Sequence, residues 1–241
     1  MPKIKINPSS NNFDSKFLNY SQMFSGLNES LEPFKLEIKS LLETGIVNDF
    51  SSRLFTNDDT NFSLNMALSL FRDDYINNYG FYLVNDKFIN ITDKLFRNNK
   101  ILEVGAGTGF LSKLLQDVGL DVTPTDKSIE NNQYGFSKKH TDIIEVDSIK
   151  HLKDNNSKYD MVIMSWPDYS SSFANNILKN MTQGQILMYI GEGYGGCTAN
   201  DDFYDKLENC ASLLEKETSL FKPANLAWFG IHDRVKLYKI L

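Results

Sequence analysis

The sequence KILEVGAGTGFL at residues 100–111 decides the fold expected for this chain. Its first half is a short apolar run, which is typical of a strand buried on both faces of a parallel sheet. Gly105, Gly107 and Gly109 then remove Cβ atoms where the backbone must turn sharply and a ligand can approach closely. Apolar residues at helical spacing follow, namely Leu111, Leu114, Leu115 and Val118. The stretch therefore predicts a strand, a turn and a helix, with backbone N–H groups and the positive end of the helix dipole facing any ligand.

Two carboxylates frame this glycine turn. Glu103 lies two residues before the first glycine, and Asp126 follows a second apolar strand, Asp121 to Thr125. The spacing G-x-G-x-G differs from the G-x-G-x-x-G fingerprint of dinucleotide-binding enzymes. A carboxylate at the end of the second strand suits the two hydroxyls of a ribose, because it accepts a hydrogen bond from each. The alternative, a glycine-rich turn without a ligand, is disfavoured by this pair of acids.

The segment ILEVGAGTGFLSKLL at 101–115, followed by DVTPTD at 121–126, resembles motif I and the acidic loop of class I S-adenosylmethionine-dependent methyltransferases. Later segments are similar to uncharacterised methyltransferase-like proteins that carry WP, GGCTA and HDR motifs; they are SWPDY at 165–169, GEGYGGCTANDDF at 191–203 and WFGIHDRVKLYKI at 228–240. The resemblance covers roughly residues 79–241. It implies an α/β, Rossmann-like class I methyltransferase fold, with a seven-stranded, mostly parallel sheet and an antiparallel last strand.

The same resemblance implies S-adenosylmethionine as the cofactor. Glu103 would orient the ammonium at the amino-acid end of the cofactor, and Asp126 would hold the ribose hydroxyls. Asp147, at the end of the third strand, is a candidate acceptor for the adenine amine, and it equally suits the N-cap of the helix that follows. The remaining candidate cofactor-binding residues are backbone or wall positions, namely Gly105, Ala106, Gly107, Gly109, Ser165 and Trp166.

The resemblance also implies an S-adenosylmethionine-dependent methyltransferase as the activity. Methyl transfer from a sulfonium is an in-line displacement, to which a protein mainly contributes positioning and desolvation. A base is needed only when the nucleophile carries a proton that must leave early. Asp168, Glu192 and His232 lie in loops expected at the same edge of the sheet and are the candidate catalytic residues. The methyl acceptor, a small molecule or a protein, is not identified by any motif.

Two other classes of protein compete with this interpretation. A catalytically silent methyltransferase-like protein, which binds the cofactor or a partner and transfers nothing, stays open because no base or substrate motif is recognisable. A nicotinamide oxidoreductase is disfavoured by the glycine spacing and by the terminal strand pair expected below.

Composition narrows the class further. The chain has 241 residues and 41% hydrophobic content, which suits one large domain or one domain with an extension. Its formal net charge of −6 disfavours nucleic acid as a partner. Cys197 and Cys210 provide neither a disulfide framework nor a zinc set, so no metal is expected. Without a signal peptide or an apolar run near the ~20 residues of a membrane span, a cytoplasmic protein with no membrane association is expected.

Residues 1–78 are expected to form a helical N-terminal extension on the main domain at 79–241. Residues 1 to about 15 are polar and expected to be mobile. Helical patterns then run from Ser30 to Gly45, from Ile46 to Phe55 and from Phe62 to Tyr79. These segments either pack on the main domain or also cover its substrate pocket as a lid.

Apolar runs in the main domain predict its other strands. The third, fourth and fifth strands are expected at Asp142–Val146, Tyr159–Ser165 and Gln185–Ile190. An amphipathic helix is expected from Asp201 to Leu214. A terminal hairpin is expected from Thr218–Phe229 and Val235–Leu241, with the last strand antiparallel beside the fifth.

Overall fold

A sheet of seven strands organises the part of the chain that the structure describes. The structure is a computed structural model and describes residues 12–23, 32–49, 51–55, 62–127, 136 and 138–241. The strands are β1 (Ile46–Val47), β2 (Val84–Asn85), β3 (Lys100–Val104), β4 (Asp121–Asp126), β5 (Ile144–Glu145), β6 (Met161–Ser165), β7 (Ile186–Gly191), β8 (Ala211–Leu213) and β9 (Arg234–Ile240). Strands β1 and β2 form a separate parallel pair. The large sheet has the order β5-β4-β3-β6-β7-β9-β8, in which only β9 runs antiparallel to its neighbours. The expected mostly parallel sheet is confirmed. Its antiparallel last strand, β9, lies beside β7, which corresponds to the predicted fifth strand.

Helices flank the sheet. Within the described residues they are α1 (Asn12–Met23), α2 (Lys35–Thr44), α3 (Phe62–Ser69), α4 (Arg72–Tyr79), α5 (Asp86–Phe96), α6 (Phe110–Asp117), α7 (Ser148–Asn155), α8 (Phe173–Asn180), α9 (Asp201–Cys210) and α10 (Glu215–Leu220). Short 3₁₀ turns lie at Glu32–Phe34, Ser51–Phe55, Asn156–Lys158 and Lys222–Ala224. None of the helices described is long and apolar enough to cross a membrane.

The apolar strands are buried because helices cover both faces of the sheet. Alternate residues of a strand point to opposite faces, and here they enter two separate apolar clusters. Ile101 and Ile163 belong to the first cluster, whereas Leu102 and Val162 belong to the second. This arrangement explains why β3 and β6 read as continuous apolar runs and not as alternating ones.

The N-terminal helices pack on the face of the first cluster. Phe71 and Tyr75, which are at most 1% exposed, share that cluster with Ile101 of β3. Gly45 ends α2 in the left-handed region (φ 74°), as expected of a glycine stop. Helix α1 begins inside the stretch expected to be mobile, and residues 1–11 lie outside the described residues.

Two helical predictions in this region are wrong in detail. The segment Ile46–Phe55 is no continuous helix, since β1 pairs with β2 and a 3₁₀ turn follows at Ser51–Phe55. β-Branched residues at 46 and 47 favour that pairing. The run from Phe62 to Tyr79 is divided into α3 and α4 by a turn at residues 70–71.

The predicted terminal hairpin is also wrong. The partner of β9 on its outer side is β8, a strand of three residues, so α9 ends at Cys210 and not at Leu214. The segment Thr218–Phe229 instead contains the end of α10 and a 3₁₀ turn around Pro223. Proline has no N–H group for a ladder hydrogen bond, which disfavours a strand there. The strand predicted at Asp142–Val146 corresponds to β5, which is likewise shorter than predicted.

Candidate functional site

Two adjoining cavities open at the carboxyl ends of β3, β4 and β6, where open α/β sheets bind ligands. The larger, of about 290 Å³, is here called the large lobe, and the smaller, of about 50 Å³, the small lobe. The lobes share six lining residues, namely Phe81, Gly105, Gly107, Phe136, Ser165 and Trp166. They therefore form one pocket that narrows where these residues meet.

The glycine turn forms the floor of this pocket. Gly105 and Gly107 adopt the left-handed region, with φ of 66° and 56°, and line both lobes. A Cβ at Gly105 would lie 3.5 Å from the Phe173 ring, and one at Gly107 would lie 2.8 Å from the Phe136 ring. Gly109 lines neither lobe; it is the N-cap of α6, and a Cβ there would meet Ile143 at 2.9 Å. The first two glycines thus face the cavity, and the third allows the helix to start.

Glu103 is a buried carboxylate beside the turn. It is 3% exposed and lines the small lobe, as does Ala106. Its Oε2 accepts a hydrogen bond from the Ser112 backbone N–H at 3.1 Å and another from the Ser112 hydroxyl. The pKa of Glu103 is raised to about 7, mainly by burial and in part by the charge of Asp126. The hydrogen bonds from Ser112 act in the opposite direction. The small lobe therefore contains an acid whose charge is poorly compensated by its surroundings.

Asp126 and Asp147 lie at the ends of β4 and just before α7, and both line the large lobe. Asp126 Oδ2 accepts from the Gly107 N–H at 2.8 Å, so this carboxylate also fixes the glycine turn. Asp147 Oδ1 accepts from the backbone N–H groups of Ile149 and Lys150 at 2.9 and 3.0 Å. Asp147 is therefore the N-cap of α7, one of the two roles that its position suggested.

Trp166 follows β6 in an unusual backbone conformation. Its φ is 51°, a region that costs energy for a bulky residue and is found where surrounding contacts enforce it. The indole stacks on Phe81 with ring centroids 5.0 Å apart and planes 13° apart. Its Nε1 donates to Asp233 Oδ2 at 2.9 Å. Ser165 and Trp166 both line the two lobes, as candidate wall residues should.

The three candidate catalytic residues lie in different surroundings. Asp168 lines the large lobe, and its carboxylate accepts from the backbone N–H and hydroxyl of Ser170. Glu192 and His232 line neither lobe. They lie together, since Glu192 Oε1 accepts from the His232 backbone N–H at 2.9 Å, while the His232 side chain is 70% exposed.

Glu192 connects two loops. Its Oε2 accepts from the backbone N–H and the thiol of Cys197, at 2.8 and 2.7 Å. Burial on its own would raise the pKa of Glu192, but the hydrogen bonds from Cys197 and His232 outweigh it and lower the pKa. An acid held ionised by two backbone N–H donors and one thiol donor is suited to fixing the loop after β7 against the loop before β9.

Sequence reasoning missed Phe136 and Phe173 and a second buried acid. Both phenylalanines line the large lobe together with Phe81, and the wall of that lobe is mostly apolar. Asp233, which is 1% exposed, receives the Trp166 hydrogen bond. Its place in the HDR segment was a usable signal, but the neighbouring His232 was the more familiar catalytic type.

No family model matches the chain, and no curated protein matches it. Solved structures do. The chain is similar to TehB from Haemophilus influenzae (14% identity, 70% of this chain and 67% of that chain covered, TM-score 0.41). It is also similar to a TehB-like SAM-dependent methyltransferase from Corynebacterium glutamicum (18%, 65% and 90%, 0.41). A mutant of MtNAS in complex with S-adenosylmethionine matches over 97% of this chain and 99% of that chain, at 11% identity and a TM-score of 0.42. The strand order itself defines the fold, which is the Rossmann-like class I methyltransferase fold.

Proposed function

We propose that this chain binds S-adenosylmethionine in the two-lobed pocket and transfers its sulfonium methyl group to an acceptor. The observation that carries the proposal is the placement of Glu103 and Asp126 on either side of a cavity-facing glycine turn. The pocket lies where β3 meets β4 on one side and β6 on the other, which is the topological switch point of the sheet.

The charges of the pocket fit the parts of this cofactor. In the large lobe, Asp126 would accept from the ribose hydroxyls, and Asp147 from the adenine amine. In the small lobe, Glu103 would face the ammonium of the amino-acid end. A bound cation beside a buried carboxylate compensates the charge that burial leaves poorly stabilised. The large lobe would thus hold the nucleoside of the cofactor, and the small lobe would hold its amino-acid end.

The size of the pocket implies an adjustment on binding. The large lobe, at about 290 Å³, is near the lower limit of the ~300–1,000 Å³ typical of ligand pockets. The small lobe is only about 50 Å³. The Phe136 ring lies over the Gly107 position, between the lobes. Phe136 is therefore expected to move aside when a ligand passes from one lobe to the other.

The chain's own residues would act on the reaction mainly by positioning. The cofactor supplies an activated methyl group when bound, so the protein need only align the acceptor and exclude water. Trp166 and Phe81 line the junction of the lobes, where the sulfonium would lie. Asp168 is the one of the three candidate catalytic residues that lines the pocket, and we assign it the role of base for acceptors that must lose a proton. Glu192 and His232 would act only through the loops they hold.

Helix α4, which ends the N-terminal helical part of the chain, belongs to this proposal as a support of the pocket wall. The guanidinium of Arg72, in α4, lies 5.7 Å from the centre of the Trp166 ring. The Thr108 hydroxyl, in the glycine turn, donates to the Tyr79 carbonyl at the end of the same helix at 3.0 Å. Helix α4 therefore contacts both the turn and the tryptophan.

The test is calorimetric titration with S-adenosylhomocysteine. Asp126→Asn keeps an oxygen for the Gly107 N–H but removes the carboxylate, so it separates ribose binding from folding of the turn. Loss of a charged hydrogen-bond partner should weaken binding by about 1.5–3 kcal/mol, or about 10- to 150-fold. Asp121→Asn is the matched control, because Asp121 is exposed at the opposite end of the same strand.

The outcomes separate the candidate functions. Unchanged affinity of a folded Asp126→Asn variant would remove this residue from the ligand site. A wild-type chain that binds neither S-adenosylmethionine nor S-adenosylhomocysteine at millimolar concentration would overturn the proposal. Tight binding with no release of S-adenosylhomocysteine, when labelled S-adenosylmethionine meets panels of amines, phenols, thiols and protein extracts, would favour the catalytically silent alternative.

A further inference from the structure

We infer that Asp233 is a positioning residue, which fixes the Trp166 ring at the junction of the two lobes and thereby shapes the wall that faces the cofactor's sulfonium and the incoming acceptor. This inference rests on the proposed function for what the wall does, but the link between the two side chains is tested independently of it.

Trp166 has a strained backbone conformation. A tryptophan with φ of 51° persists only where the surroundings over-determine its conformation. Three residues from outside its own loop contact its ring: Phe81 stacks on it, the Arg72 guanidinium lies over it, and Asp233 accepts from its Nε1. The backbone N–H of Trp166 also donates to the Ile190 carbonyl at 2.8 Å. The ring is therefore held from several sides in a conformation that it would not adopt alone.

Burial of the Asp233 carboxylate costs free energy of folding. Its carboxylate is buried, Oδ2 receives the indole hydrogen bond, and Oδ1 has no hydrogen-bond partner in the described structure. A buried carboxylate with one unpaired oxygen opposes folding. Such groups are known in some proteins to be retained because they specify one arrangement of side chains.

The other tryptophan of the chain provides an internal comparison. Trp228 is 1% exposed, and its indole Nε1 is buried without a hydrogen-bond partner. This fold therefore tolerates an unpaired indole N–H in its core. At Trp166 it instead places an acid against the indole, although the acid is itself costly to bury. The difference is consistent with orientation of Trp166 being the property that the acid serves.

Several charged or titratable groups face Asp233. They are Arg72, Arg234, Glu192, Cys197, Tyr82 and Tyr189. The pKa of Asp233 is raised to about 7, mainly by burial and in part by the charge of Glu192. The Trp166 hydrogen bond and both arginines act in the opposite direction. A hydrogen bond to an ionised acceptor is roughly twice as strong as a neutral one. Trp166 should therefore be held more firmly above neutral pH than below it.

Fluorine NMR of the full chain labelled with fluorotryptophan tests the link. The chain has two tryptophans, so Trp228 serves as an internal reference for Trp166. The Trp166 resonance should move between pH 5 and 9 with a midpoint near the Asp233 pKa of about 7, whereas that of Trp228 should not. Asp233→Asn keeps an oxygen acceptor and should abolish the titration. Glu192→Gln should retain it with a lower midpoint, because a neighbouring negative charge is lost.

Binding of S-adenosylhomocysteine provides the second measurement. Asp233→Asn should weaken binding by about fivefold, the difference between a charged and a neutral hydrogen bond, and more so above pH 7 than below it. Asp233→Leu, checked for folding by circular dichroism, should weaken binding further. If the wild type does not bind, the proposed function fails whatever the NMR shows. If the wild type binds, and Asp233→Asn neither alters the Trp166 titration nor weakens binding, the inference about Asp233 is overturned.

Discussion

Replacing Glu103 by glutamine should stabilise the protein at alkaline pH and weaken cofactor binding at the same time. The carboxylate is buried in the small lobe, and Ser112 donates to only one of its oxygens. Its folded-state pKa of about 7 lies above the ordinary value of 4.5 because burial disfavours the charge. A neutral amide has nearly the same shape and avoids that cost.

The magnitude follows from the pKa difference. Below about pH 4.5 the acid is protonated in the folded and the unfolded chain, and it costs nothing. As the pH rises from 4.5 to about 7, it ionises first in the unfolded chain, so the free energy of unfolding falls. At about 1.36 kcal/mol per pH unit, the loss above pH 7 is about 3 kcal/mol. The variant should escape this loss.

Urea or thermal unfolding between pH 5 and 8.5 provides the assay. The stability difference between Glu103→Gln and wild type should grow from near zero to about 3 kcal/mol, or roughly 6–12 °C in Tm for a chain of this size. Affinity for S-adenosylmethionine should fall by about 10- to 150-fold, because the partner of the ammonium loses its charge. Glu145→Gln, on the exposed edge strand β5, is the control and should change neither quantity.

Either half of the result can refute its premise. A variant whose stability parallels that of the wild type at every pH would show that burial does not penalise the Glu103 charge. A variant with higher alkaline stability and undiminished affinity would show that the acid does not face the cofactor.

Substitutions at two further pocket positions, Gly105 and Asp147, test the pocket from other sides. Gly105→Ala and Gly184→Ala each place a methyl group at positive φ, so both should destabilise by about 1–2 kcal/mol in thermal unfolding; only Gly105→Ala, which faces the cavity, should weaken S-adenosylhomocysteine binding more than about tenfold. Equal affinities of the two variants would place the ligand away from the turn. Asp147→Ser keeps an N-cap for α7 and should keep Tm, but should lose affinity if the carboxylate accepts from adenine, whereas Asp147→Ala should lose about 1 kcal/mol of stability as well. A serine variant that binds like the wild type would leave Asp147 with the cap alone.

Local patterns predicted the centre of the fold well. The strand β3, the glycine turn and α6 follow one another in sequence, so apolar period and glycine spacing sufficed to place them. The antiparallel place of the last strand beside the predicted fifth strand came from the resemblance, because strand pairing between distant segments is not written in any local pattern. The prediction of the terminal hairpin was wrong for the same reason. The strand β8 has three residues, too few for a periodic signal, and directly follows helix α9.

The site shows the same division between local and distant information. Asp126 could be predicted because it ends a strand next to the turn in the sheet. The role of Glu192 could not, because two of its donors are backbone N–H groups, those of Cys197 and His232, which no sequence pattern reveals. The contacts of Trp166 with Arg72 and Asp233 likewise join three distant segments. A carboxylate that faces a ligand and one that accepts from a loop backbone look alike in a sequence. Only the fold distinguishes these two cases.

The central claim is that the two lobes hold one S-adenosylmethionine molecule. A crystal structure of the chain with S-adenosylhomocysteine tests it most directly. We expect the ribose hydroxyls to lie on Asp126 in the large lobe and the ammonium to lie on the Glu103 side in the small lobe. The sulfur should lie at the junction, beside Trp166 and Phe81. A ligand bound elsewhere, or bound with its amino-acid end away from Glu103, would contradict it.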